Sequence, residues 1–252
     1  MFMFSYETEE YLIKCANKCK LANQIEEAGD LLMKAAKKMK SDDYTTRNTF
    51  GDAAYCFKYT NFEKAVDAYK NTIYLYNEKG LFSSSSTYSE ELAGIYYRHG
   101  DKQEAIAEYM RAGLLNNISR YESTGETLLL KAASVSVELD QFARGAEIFD
   151  KVCRSQLDKG CHTSACGSIL DAMLCYLADG ISMDDATNKL NEYKGLHRDF
   201  SSTTIVNVIE LLIAALVASD GDEYDSIVSS YGRLSTIDPW RLSLFQKAKI
   251  IK

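Results

Sequence analysis

The sequence predicts an all-α protein built as a solenoid of antiparallel helical hairpins, and three observations carry that prediction. The first is a repeat of 40 residues. Stretches beginning at Asn61, Asp101 and Gln141 superpose at that offset, with a small residue at Ala65, Ala105 and Gly145 and an apolar one at Val66, Ile106 and Ala146. A ring follows at Tyr69, Tyr109 and Phe149. A small residue lets a neighbouring backbone approach, and a ring at i+4 fills the same face one turn on. The second observation is that a helical stretch precedes each copy and repeats at the same offset. Its anchors are Ala53, Ala93 and Ala133, followed four positions later by Phe57, Tyr97 and Val137. A helix–turn–helix unit of this length buries its apolar face by stacking on its neighbours. The third is the single proline in 252 residues, which suits long uninterrupted helices.

Composition narrows the function classes. A hydrophobic fraction of 46% supplies a core, and 26% charged residues keep the surface hydrated. The net charge of -7 and pI near 5.1 argue against general nucleic-acid binding, and no nucleic-acid partner is expected. Seven cysteines with no secretory h-region point to reduced thiols and a cytoplasmic location. The start MFMFSYETEE turns acidic by Glu7, unlike a signal or transit peptide. The longest apolar run, Ile205 to Ala218, contains Asn207 and Glu210 and falls short of the ~20 residues of a membrane span, so it reads as a buried helix.

Taken in order, helices are predicted over 7–23 and 24–40. The first carries Tyr11, Leu12, Cys15, Cys19 and Ala22 at helical spacing. The second ends in Lys34, Lys37, Lys38 and Lys40, which complement the helix dipole and form a solvated face. Residues 42–59 and 61–79 form the next hairpin, with Asn61 as N-cap and Gly80 as the stop. The run Leu81-Phe82-Ser83-Ser84-Ser85-Ser86 reads as the most loop-like stretch of the chain, leading into a helix from about 84 to 99. Helices over 101–117, 121–139 and 141–157 follow. Asp158-Lys159-Gly160 then echoes Glu78-Lys79-Gly80. Beyond Gly160 the register loosens, with helices expected over 162–179, 183–194, 202–219 and 222–231. Asp238-Pro239 supplies an N-cap and a first-turn proline for a last helix from Trp240 toward Ile251.

Catalytic motifs are lacking. There is no GxxxxGK[ST], no GxGxxG after a strand and no HExxH, and His99, His162 and His197 lie far apart in sequence. His99 precedes Gly100 at a helix end, where a cation suits the dipole. Cys153, Cys161, His162 and Cys166 are the densest metal-like cluster. Without paired CxxC knuckles, small buried cysteines between helices are the better account. Cys15 and Cys19, at i,i+4, read as core as well. No cofactor and no enzymatic activity are expected, because no nucleophile–base pair stands out. The 17 tyrosines fall largely on the repeat's core positions and read as core rather than as a stacking surface.

With these segments in view, the chain resembles the soluble NSF-attachment proteins, nearest the alpha/beta type, from about Tyr11 to Ile251. Phe50-Gly51-Asp52-Ala53-Ala54 through Phe62-Glu63-Lys64-Ala65-Val66 resembles the family's second hairpin. Leu128-Leu129-Leu130-Lys131-Ala132-Ala133 through Gln141-Phe142-Ala143 resembles its central hairpin. Asp222 to Trp240, with Tyr224, Val228 and Asp238, resembles the approach to its last helix.

The resemblance implies a TPR-like right-handed solenoid over 1–160, a twisted sheet of hairpins, continuous with a C-terminal helical bundle over 161–252. It implies an adaptor that binds a SNARE four-helix bundle, is monomeric when free, and recruits the hexameric AAA ATPase N-ethylmaleimide-sensitive factor. The ATPase then pulls the bundle apart in vesicle fusion, with the adaptor peripherally membrane-associated. Arg98, Arg111, Arg120 and Lys131 are the candidates for the SNARE-facing surface. Three of the family's basic positions there align with Thr87, Thr127 and Cys166. Asp220, Asp222, Glu223 and Asp225, with Leu242 and Leu244, are the candidates for the ATPase-facing end. Phe2 and Phe4 stand in for a membrane-touching loop. The alternative function is a TPR-like scaffold for other helical or peptide partners.

Overall fold

The computed structural model describes residues 8–40, 43–196 and 202–250. Thirteen helices and no strand lie among the described residues. The chain divides into two compact units, Met1–Leu128 and Leu129–Lys252.

The first unit contains α1 (Glu9–Leu21), α2 (Ile25–Lys38), α3 (Tyr44–Phe57), α4 (Phe62–Glu78), α5 (Phe82–His99) and α6 (Lys102–Ile118). The unit boundary falls within α7 (Glu122–Glu138). Each of α2 to α5 packs on the helix before it and the helix after it. Turns of two to five residues force such neighbours to run antiparallel.

The predicted anchors are where the helices meet. Ala53, Ala65, Ala93 and Ala105 are fully buried, as is the Tyr69 ring, and Phe57 nearly so. Alanines and glycines set the helix spacing here. A Cβ on Gly29 of α2 would lie 2.6 Å from the Phe57 ring, so only glycine lets α2 sit this close to α3. Polar ties reinforce the stack: Lys64 of α4 reaches Glu26 and Asp30 of α2 at 3.0 and 2.8 Å.

Two expectations are corrected in this unit. The serine run is not a loop, because α5 begins at Phe82. Ser85, Ser86 and Ser89 are buried, and the Ser86 hydroxyl donates to the Ala112 carbonyl of α6 at 2.8 Å. Serine is a weak helix former in isolation, but a small side chain fits a tight helix crossing and its hydroxyl finds a carbonyl there. The tyrosines are not mainly core either. Tyr11, Tyr44, Tyr55, Tyr59, Tyr74, Tyr97 and Tyr121 are all exposed. On α5 the ring turned inward is Tyr96, which displaces the expected Tyr97.

The hairpins are closed by one turn used repeatedly. The amide of Leu81 donates to the carbonyl of Tyr76, Asp101 to Tyr96, Tyr121 to Asn116, Gln141 to Ser136, Cys161 to Gln156 and Ile181 to Tyr176. Each is the long bond of a Schellman C-cap, and each requires a left-handed residue just before the donor. Those residues are Gly80, Gly100, Arg120, Asp140, Gly160 and Gly180, with φ between 58° and 96°.

The second unit contains α8 (Phe142–Asp158), α9 (His162–Ala178), α10 (Met183–Leu196), α11 (Thr204–Ala218), α12 (Gly221–Leu234) and α13 (Pro239–Ile250). Ser168 through Cys175 of α9 are buried without a break, so α9 is covered on all sides. It meets α8, α10, α11 and α13. The apolar run of α11 is buried on one face only, since Leu211 and Val217 are exposed. Among the described residues no helix is long and apolar enough to cross a membrane.

The last helix is fastened by specific contacts. Arg241 binds the buried carboxylate of Asp171 on α9 through two hydrogen bonds of 2.6 and 2.7 Å. Trp240 stacks on Phe149 of α8 with ring centroids 5.8 Å apart. Lys247 pairs with Asp140, and Lys249 with Asp225 at 2.7 Å. The Tyr224 hydroxyl donates to the Phe245 carbonyl at 3.0 Å.

Candidate protein-interaction surfaces

The basic candidates of the first unit do not form one cluster. Arg98 is exposed in the last turn of α5, and Arg120 lies beyond the far end of α6. The antiparallel pair separates them by the length of α6, about 25 Å for 17 residues at ~1.5 Å each. Arg111 sits between them on α6, with its guanidinium 3.2 Å from the buried carboxylate of Glu108. Burial pushes the Glu108 carboxyl up, against the opposing pull of Arg111 and Lys70. Thr87 and Thr127 are exposed, and their hydroxyls donate to the Ser83 and Ser123 carbonyls of their own helices. Lys131, in the second unit, is exposed on α7.

Arg98 belongs to a groove that the sequence did not reveal. Lys58, Tyr59, Asn61, Phe62, Arg98 and His99 line a space of about 300 Å³ where the α3–α4 turn meets the end of α5. Arg98 lies 5.2 Å from the centroid of the exposed Tyr59 ring, and Lys58 5.4 Å from it. His99 stacks on Phe62 at 3.6 Å and its Nδ1 lies 3.1 Å from Asp101. Its ring therefore serves the α5–α6 corner as well as the helix dipole.

At the C-terminal end the acidic residues divide by role. Asp220 is the N-cap of α12 and accepts from the Glu223 amide at 2.9 Å. Asp225 is taken by Lys249. The side chains of Asp222 and Glu223 are exposed in the first turn and engage no basic partner among the described residues. They stabilise the helix end through the dipole and remain open to a partner's cations. Leu244 is fully buried and packs as core, whereas Leu242 is exposed. Leu242, with Tyr224, Val228, Phe245 and Ile250, lines a groove of about 700 Å³ between α12 and α13. Phe2 and Phe4 lie outside the described residues.

The cysteine cluster is dispersed by the fold. Cys153 and Cys175 are buried, Cys166 is half-buried and Cys161 is exposed. Burial pushes the Cys153 thiol up to about 12 and raises Cys56, Cys166 and Cys175. Among the described residues no three His, Cys, Asp or Glu side chains are placed to hold a metal ion.

These helical hairpins have counterparts among known proteins. A signal transduction ATPase with numerous domains from Pyrococcus horikoshii, which carries a tetratricopeptide repeat sensor, superposes with a TM-score of 0.52 at 14% identity. The match covers 98% of this chain and 40% of that one, and it establishes the TPR-like fold. The alpha-soluble NSF attachment protein of Vitis vinifera is 24% identical over 99% of this chain and 87% of its own length. That of Mus musculus is 25% identical over 96% of this chain and 83% of its own length. The family model described as soluble NSF attachment protein, SNAP, matches residues 4–250. The repeats, the C-terminal bundle and this end-to-end match agree: the chain belongs to the soluble NSF attachment protein family.

Proposed function

We propose that this chain is a non-enzymatic adaptor that binds SNARE bundles and recruits the hexameric ATPase N-ethylmaleimide-sensitive factor for their disassembly. The observation that carries the reading is the family match over residues 4–250. The geometry supports a division of labour. Arg98, Arg111 and Arg120, spread along the first unit, and Lys131 of the second offer cations to the acidic outer surface of a coiled coil. Asp222 and Glu223 offer exposed carboxylates at the C-terminal end, where cationic surfaces of the ATPase are received. Leu242 adds apolar contact beside them. Peripheral attachment to membranes follows from the bundle, with Phe2 and Phe4 as further contacts. The hairpins over 1–160 act as the SNARE-binding part and 161–252 as the recruiting part.

The test is co-sedimentation of the ATPase with preformed complexes of the chain and a SNARE bundle. The double variant Asp222→Lys with Glu223→Lys should bind the bundle as the unmodified chain does and recruit roughly tenfold less ATPase, the effect of losing ~1.4 kcal/mol. An unchanged melting temperature would show that the helix survives. Undiminished recruitment would leave these acids as helix-end residues only.

A further inference from the structure

Three helices of the second unit, α10, α12 and α13, bury only three residues each among those described, so each needs a second hold on its neighbours. For α13 it is the pair of Arg241 with Asp171, whose side chains are 17% and 5% exposed. For α12 the buried part of it is uncharged, the hydrogen bond from Tyr224 to the Phe245 carbonyl. For α10 it is a network of half-exposed charges. Asp150 of α8 accepts from the Tyr193 hydroxyl at 2.7 Å and from Arg154 at 2.9 Å. Arg154 reaches on to Glu192, which Lys189 meets at 3.0 Å. Toward α11, Lys194 pairs with Glu210. The side chains of Arg154 and Glu192 are 38% and 47% exposed.

That difference in exposure decides how each hold answers to its surroundings. Mobile ions screen charges standing in water, within ~10 Å at 0.1 M salt and ~3 Å at 1 M, and reach a buried pair far less. Half-exposed pairs are also weak singly, so α10 rests on several of them acting together. Even its buried anchor belongs to the network, because the Tyr193 ring is fully buried and its hydroxyl ends on the Asp150 carboxylate. Cys153 of α8 is fully buried as well, close enough to Lys189 and Tyr193 to interact electrostatically with both. Lifting α10 therefore uncovers this thiol.

We infer that α10 is a releasable strap on α8 and α9, latched by solvent-screened charges, whose release uncovers Cys153 while the rest of the second unit stays folded. The inference goes beyond the adaptor reading and assumes no partner. Ionic strength, or a charged surface competing for Arg154 and Glu192, sets how often the strap is open.

The experiment exposes the full chain to short pulses of iodoacetamide and reads each cysteine by peptide mass spectrometry. Exposed Cys161 gives the uncovered rate, and Cys175, fully buried on α9, reports opening of the unit as a whole. Between about 0.1 and 1 M sodium chloride the Cys153 rate relative to Cys161 should rise severalfold. Glu192→Gln removes the partner of Arg154 and Lys189 and leaves the Tyr193–Asp150 bond in place. At the lower salt it should raise that ratio roughly three- to tenfold, the effect of losing two half-exposed ion pairs, and it should shrink the salt effect. The Cys175 ratio and the Trp240 fluorescence should hold throughout. A Cys153 rate that answers to neither salt nor Glu192→Gln would overturn the proposal. So would an undiminished salt effect in the variant, or Cys153 and Cys175 quickening together.

Discussion

In the first unit α2 to α5 each pack on the helix before and the helix after, whereas α9 of the second unit also meets α13, through residues 70 positions apart. The two arrangements fail differently. A stack held by nearest neighbours loses one crossing at a time, and its remaining hairpins keep their contacts. A bundle closed by a distant helix depends on that closure, because a long loop has to be ordered before the contact forms. Polar chemistry follows the same division. The interhelical pairs of the first unit, such as Lys64 with Glu26, are largely solvated and add little. The pair that closes the second unit, Arg241 with Asp171, is buried and bidentate.

Breaking that buried pair should have the largest effect. Asp171→Asn keeps the shape of the side chain and leaves Arg241 buried without its counter-charge, at a cost of about 3–5 kcal/mol. Trp240, the chain's single tryptophan, sits on α13 and stacks on Phe149, so its fluorescence reports this unit. Its urea midpoint should fall sharply while hydrogen exchange in α3 to α5 is unchanged. Replacing both residues, Asp171→Leu with Arg241→Met, should recover most of the loss. A Trp240 transition unaffected by Asp171→Asn would show that α13 does not close the bundle.

A smaller loss is expected from Ala105→Leu. Ala105 is fully buried at the α5–α6 crossing, and a larger side chain should cost about 1–3 kcal/mol by overpacking. The damage should appear as faster exchange in α5 and α6, with the Trp240 signal holding. If exchange rises equally in α9 and α13, the stack is not as modular as its contacts imply.

The smallest effect is a gain. Glu108 binds its proton more tightly folded than unfolded, because burial raises its carboxyl above the ordinary 4.5. Its ionisation therefore lowers stability as pH rises from the ordinary carboxylate value through the raised folded one, and the penalty is complete above the folded value. Glu108→Gln should stabilise the first unit at pH 7 by about 1 kcal/mol, within the cost of burying an incompletely paired polar group. The gain should vanish as pH falls below the ordinary carboxylate value. A gain that persists in acid would assign the effect to packing instead.

What the sequence made legible follows the same line between local and distant. Ala65, Ala105 and Gly145 with their following rings announced the crossings, since small residue and ring lie one turn apart in the same helix. Asn61 and the Gly80 and Gly160 stops were readable because capping is local chemistry. The serine-rich start of α5 was not, because tertiary burial of Ser85 and Ser89 overrides their weak helix preference. The outward tyrosines escaped for a related reason: a ring at a plausible helical spacing does not say which way its helix is turned. At the candidate site Asp222 and Glu223 stood out as a charge cluster. The separate fates of Asp220 and Asp225 needed the Glu223 amide and Lys249 in space. The pairing of Asp171 with Arg241 left no periodic signal at all.

The burial of the thiols has a practical consequence for chemistry done on this protein. A maleimide attacks the thiolate, so raising the thiol proton affinity and covering the sulfur both slow the reaction. Cys56, Cys153 and Cys175 are protected in both ways, and Cys161, at the turn into α9, is the exposed member of the seven. Brief alkylation should therefore mark this chain first at the corner between α8 and α9. That corner is a ready attachment point for a dye or spin label.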